Sequence, residues 1–283
     1  LIPIVIAVVA SYYDWRWAMY IPGIIGISCG LWLLERLRDV PQSLGLPPVE
    51  QYKGEKLPLT SKKEEPTKSI PVRQIIMQEI VRNTSVWILA LSYFFVYVVR
   101  TAVNDWGALY LVKFKDYTML SAASGVAWFE IGGLLGVLLA GWASDHIFNG
   151  RRVPYMLYSS MLLVVSTIIF WKIPYHLVIL DYFMLAMIGF FVFGPQLLVG
   201  LAAAEYVDKR AACTANGFAG CFAYIGAAFT GYPLGKIIDI WGWDGFFGVL
   251  VICSFATMLI LLMLFFKQKK MPVPAPALSY NPA

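Results

Sequence analysis

Arg100 is the residue in this sequence whose placement most needs a reason. It stands in the middle of LSYFFVYVVRTAVNDWGALYL, among Phe, Val and Ala. An arginine at the centre of a helix in hydrocarbon costs on the order of 2.5–3.5 kcal/mol on insertion scales, so something must offset it. Tyr93, Tyr97, Arg100 and Asn104 follow at intervals of four, three and four residues. At about 3.6 residues per turn they share one stripe, polar between apolar flanks, as the lining of a wet cavity would be. A guanidinium offers paired N–H donors that match phosphate oxygens, and it keeps its charge at any physiological pH. Arg100 therefore points to an anionic, phosphorylated ligand. The competing reading is a structural arginine paired with Asp105 or with Glu130 on the next helix.

Other polar residues sit inside apolar runs. Glu130, in VAWFEIGGLLGVLLAGW, is either a proton site or a pairing site, for Arg100 or for a group outside this sequence. Gly132 and Gly136 on the same helix form a GxxxG that permits close helix contact. Gly194-Pro195-Gln196 interrupts a helix centre, where Pro removes an N–H, so Gln196 is a candidate to point inward at a kink. Tyr224, on a glycine-rich helix that also carries Asn216, is a candidate to reach the same cavity. Asp181 begins a helix and is expected at the water interface. GWASDHIFNGRRVP carries Gly141, Asp145, Gly150, Arg151 and Arg152, which lets an Asp at one helix end pair with basic groups across a short turn. Cys29, Cys213, Cys221 and Cys253 lie in apolar runs without a CxxC pair and read as packing residues. His146 and His176 are far apart in sequence. With no nucleophile–base pair and no metal-ligand cluster, neither an enzyme nor a cofactor is expected.

The elements that must position these residues follow from composition. Of 283 residues 59% are apolar and 14% charged, with a formal charge of +5, and the charges fall in gaps between apolar runs. A nucleic-acid binder would gather them on one face, so nucleic acid is excluded as a partner. Spanning about 30 Å of hydrocarbon takes roughly 20 helical residues. Windows of that order occur at 18–34, 85–112, 119–142, 153–171, 177–204, 212–235 and 245–266. Leu1 to Ala10 reads as the tail of one more helix. From Glu35 to Arg82 the composition turns to Pro, Lys and Glu, closing on an amphipathic stretch, VRQIIMQEIVRN. Lys and Arg number sixteen on the side of the linker, the 143–152 and 205–211 loops and the tail, against five opposite, which makes the linker and C-terminus cytoplasmic.

The expected architecture is an all-α polytopic membrane protein on the major facilitator plan. Residues 1–34 form the end of helix 5 and helix 6 of a first half, 35–83 a cytoplasmic linker, 84–266 the second six-helix bundle and 267–283 a cytoplasmic tail. The missing N-terminal half is then a partner of this segment, and the lipid bilayer of an inner (plasma) membrane its surroundings.

FVYVVRTAVNDWGALYL, AWFEIGG, AGWASDHIFNGRR, FFVFGPQLLVGLAAAE and FAYIGAAFTGYPLG together resemble the second half of the organophosphate:phosphate antiporter family. SYYDWRWAMYIPG and DVPQSLGLPP are similar to its fifth-to-sixth helix turn and the start of its linker. The resemblance implies antiport of a sugar phosphate, here a hexose phosphate such as glucose 6-phosphate, for inorganic phosphate by alternating access, with one essential arginine in each half. Arg100 matches the second-half arginine, Tyr97 a tyrosine lining the glycerol-phosphate carrier's site, and Tyr224 a cavity position of the eleventh helix. The loop motif of Gly141 to Arg152 resembles the superfamily's conformational latch. Where hexose-phosphate carriers have an Asp and a Lys one turn apart, this sequence has Asn216 and Ala219, closer to a membrane sensor of external glucose 6-phosphate that signals to a histidine kinase.

Overall fold

A computed structural model describes residues 16–37, 44–46, 76–175, 177–207 and 211–269. The expected helix end at 1–10, most of the linker, His176, the Lys209-Arg210 loop and the tail beyond 269 lie outside them. Among the described residues all regular structure is helical. The chain divides into two compact units, Val5–Val72 and the remainder, Leu1–Ile4 with Arg73–Ala283.

In the first unit, α1 (Trp17–Arg36) carries Pro22 in its second turn and satisfies Ser28 through the Ile24 carbonyl at 2.8 Å. Its 20 residues rise about 30 Å.

In the second unit four of the expected windows become α2 (Thr84–Lys113), α3 (Met119–His146), α4 (Arg152–Lys172) and α5 (Val178–Glu205). Caps written in the sequence set their starts. Asn83 accepts a hydrogen bond from the Ser85 N–H at 3.0 Å, and Thr118 accepts from Ser121 N–H at 3.2 Å. Asn149 and Gly150, both at positive φ, turn the chain after α3, and Pro154 occupies the first turn of α4, where its missing N–H costs nothing.

The gap expected between the last two windows, 236–244, holds a bend at Gly242, and a break at Thr230-Gly231 inside the 212–235 window comes in addition. α6 (Ala212–Phe229) ends at Thr230-Gly231, and α7 (Tyr232–Lys269) follows at once with a kink at Gly242, φ 63°. Only glycine takes that φ without strain, so the bend sits there rather than at a loop. The stretch Ala212–Lys267 has 56 residues. At about 1.5 Å per residue it measures roughly 84 Å, more than twice a bilayer's hydrocarbon, and so makes two crossings. Trp106 of α2 donates its indole N–H to the Thr230 carbonyl at 2.7 Å, satisfying an acceptor at the end of α6. Within the amphipathic stretch that closes the linker, Ile76–Val81 form a π-helical turn whose Ile80 is buried with Val86 and Ala215.

The tightest packing joins α3 to α5. A Cβ on Gly132 would run into the Ala186 carbonyl, one on Gly136 into that of Phe190, and one on Gly189 into that of Phe129. The GxxxG thus lets backbone meet backbone. One core layer gathers Tyr110, Phe170 and Phe247, the other Ala140, Val199 and Leu261. Among the cysteines only Cys253 is buried; Cys29, Cys213 and Cys221 are exposed, so packing within this chain accounts for one of the four.

Candidate functional site

α2 and α5 run antiparallel, and the polar stripe of one meets the centre of the other. Arg100 holds its guanidinium over the Phe193 ring, 4.8 Å from the centroid, and 5.5 Å from that of Tyr97. Three residues further along α5, the Gln196 amide donates to the Tyr97 hydroxyl at 3.4 Å. Tyr97 meets Tyr93 edge to face at 4.9 Å and Tyr224 of α6 at 5.9 Å. The structure thereby brings Tyr93, Tyr97, Arg100, Gln196 and Tyr224 together from three helices. α5 runs unbroken through buried Gly194 and Pro195, so Gln196 is placed by helix phase.

Among the described residues Arg100 is half-buried and makes neither a hydrogen bond nor an ion pair. The pairing expected with Asp105 or Glu130 is not formed. Asp105 instead accepts from the Asn104 amide at 3.2 Å, and Asn104 is exposed beside it. Glu130, half-buried on α3, has no ion pair among the described residues either. The aromatic faces attract the guanidinium but leave its N–H donors unused, and those donors suit an anion's oxygens.

Beside this cluster lies a cavity of about 510 Å³, lined by Tyr93, Phe193, Gln196, Gly200 and Asn216 among others. It extends from the Arg100 level toward the C-terminal end of α5. A volume in this range is ordinary for a small-molecule site.

At the far end of α5 the loop motif closes into a three-helix contact. Arg152 pairs with Asp145 of α3 and reaches Glu205 of α5 at 3.2 Å, while Ser144 takes another of its N–H groups. Gly150 N–H bonds back to the Ser144 carbonyl at 2.8 Å, fixing the turn. Gly141 faces open space and Arg151 is exposed. Sequence reasoning missed Glu205; the signal was an acid ending the apolar run LLVGLAAAE.

It also misplaced Asp181. Rather than sitting at the water interface, this carboxylate is 0% exposed. Lys115 donates to it at 3.1 Å and the Tyr117 hydroxyl at 2.6 Å. The remaining Lys115 donors go to the carbonyls of Ile173 at 3.0 Å and Pro174 at 3.3 Å, so this buried cation is fully satisfied. An acid one turn inside VILDYFML was the available signal.

These observations describe a bundle of long apolar helices in which a cation, held over the Phe193 ring, lies beside a cavity that the same ring lines. Residues 1–231 match the Major Facilitator Superfamily, and the chain belongs to that family. Over 270 residues it is 47% identical to a "Probable hexose phosphate transport protein" of Chlamydia trachomatis, covering 93% of this chain and 59% of that protein. Over 262 residues it is 42% identical to the "Membrane sensor protein UhpC" of Salmonella typhimurium, covering 93% and 59%. A "Hexose-6-phosphate:phosphate antiporter" of Salmonella typhimurium is 35% identical over 236 residues, 81% of this chain and 50% of that protein. The chain thus spans between half and three fifths of the length of these relatives.

Proposed function

We propose that the protein carries hexose phosphate across an inner membrane in exchange for inorganic phosphate, with Arg100 as the second-half anion clamp. The observation that supports this is an arginine held at mid-bundle by Phe193 and Tyr97, with no protein anion bonded to it among the described residues. The phosphate dianion is shared between this guanidinium and a basic group of the other half, and the halves rock around it. Binding and release account for the whole cycle, so no covalent chemistry and no cofactor enter. Residues 84–266 form the second bundle, the linker and C-terminus face the cytoplasm, and the contact of Asp145, Arg152 and Glu205 latches one conformation.

The test is counterflow in vesicles loaded with phosphate, using the complete protein. Arg100→Lys keeps the charge but loses the fork, and the expected result is a drop in hexose phosphate uptake of at least about tenfold, as loss of a charge-assisted pair predicts. Uptake and affinity unchanged in that variant remove the clamp. The second reading, a membrane sensor of glucose 6-phosphate acting on a histidine kinase, is favoured by the uncharged pair Asn216 and Ala219 on α6 and by the 42% identity to a sensor. Ligand binding without counterflow selects it.

A further inference from the structure

We infer that Gln196 reads a hydroxyl of the sugar ring and so separates hexose phosphate from bare phosphate; this rests on the sugar-phosphate reading of the site above. The Gln196 carboxamide has one donor end and one acceptor end. Its Nε2 meets the Tyr97 hydroxyl, and its Oε1 is covered without a hydrogen-bond partner among the described residues. Turning the amide over exchanges the two ends and still leaves one unmatched. A buried polar atom in that condition is costly, so a group able to satisfy it is favoured there.

The position of the amide limits what that group is. Phe193, the ring beneath the Arg100 cation, lies three residues before Gln196 on α5, a rise of about 4.5 Å. A phosphate held at Arg100 therefore places the first atoms of its organic substituent beside the amide, within the cavity that Tyr93, Phe193 and Gln196 line. The chemistry limits it further. A carboxylate only accepts and an ammonium only donates, whereas a hydroxyl does both and matches whichever end of the amide is free. The surrounding rings offer apolar faces to the C–H side of a pyranose. The terminal torsion of glutamine is broad, so a small turn presents Oε1 to the cavity that the side chain already borders.

The experiment measures affinities of the complete protein, in detergent or nanodiscs, for inorganic phosphate, glucose 6-phosphate and its monodeoxy analogues. Gln196→Leu keeps the bulk and removes both polar ends. The expected result is an approximately tenfold weaker affinity for glucose 6-phosphate with phosphate affinity held within about twofold, the size of one lost hydrogen bond. One monodeoxy analogue is weakened to the same degree in the unaltered protein and is not weakened again by the substitution. Gln196→Met, with a similar thermal midpoint as the folding control, repeats the pattern. Equal losses for phosphate and hexose phosphate assign Gln196 to positioning Tyr97 and overturn the inference, as do additive losses with every analogue or no loss at all. If the unaltered protein binds neither phosphate nor glucose 6-phosphate, the sugar-phosphate reading itself falls, an outcome distinct from these.

Discussion

Arg152, the first residue of α4, lies 3.2 Å from Glu205 at the end of α5 while gripping Asp145 at the end of α3. One guanidinium therefore ties three helix ends. The carboxylates are half open to solvent, at 55% and 44% exposure, so screening cuts the worth of each pair.

Arg152→Gln should lower stability in detergent by about 1 kcal/mol in total, and the deficit should shrink in high salt. Thermal unfolding at two ionic strengths checks it. A salt-independent loss would mean that packing, and not charge, holds the contact.

The Lys115–Asp181 pair behaves oppositely because both side chains are buried, at 1% and 0% exposure. Lys115→Met alone strands a carboxylate and should cost about 3–5 kcal/mol. Adding Asp181→Leu should recover much of that loss. A double-mutant cycle read by chemical denaturation checks the coupling, and strictly additive losses would refute it.

Tyr117 lies in the short connection between α2 and α3. Burial first, and then its hydrogen bond to Asp181, push its phenol above the ordinary range. The unfolded phenol releases its proton near pH 10, while the folded one still holds it. Its contribution is thus fully present below about pH 10 and is lost as pH rises toward the folded value. Tyr117→Phe should lower stability at neutral pH and flatten the alkaline limb of stability against pH. An unchanged limb would show that other groups set it.

Gly132→Ala should destabilise by about 1–3 kcal/mol, since its Cβ meets the Ala186 carbonyl and backbone cannot step aside. Gly141→Ala, facing open space, should be neutral or slightly stabilising through helix propensity. Thermal midpoints of the two variants side by side decide the matter, and equal midpoints would show that α3 and α5 are not in close contact.

The helices were legible because their apolar runs have the length of a bilayer and their caps, Asn83 and Thr118, are local signals. The break between α6 and α7 at Thr230-Gly231 was not, since it falls inside an apolar window with only one more glycine to mark it, whereas the bend at Gly242 lies in the gap between the last two windows. Three members of the expected stripe, Tyr93, Tyr97 and Arg100, could be read from helical spacing alone, whereas the fourth, Asn104, turns to Asp105 and joins neither the aromatic contacts nor the cavity lining. That Phe193 supplies the ring under Arg100 could not, because how α2 and α5 face each other is decided by tertiary packing and not by the spacing within either helix. Asp181 was misplaced for a related reason: its position at a helix start suggested water, but Lys115 and Tyr117 fold over it from another connection.

The ladder between α2 and α5 has one further consequence. Arg100 faces Phe193 and Tyr97 faces Gln196, in opposite chain directions, so a slide of either helix by a single turn would separate both couples at once. On the proposed roles of Arg100 and Gln196, grip on the anion and reading of its organic part would share one mechanical setting, like two wards on the same key. A ligand that seats both stiffens that sliding coordinate, whereas one that seats only the cation leaves it loose.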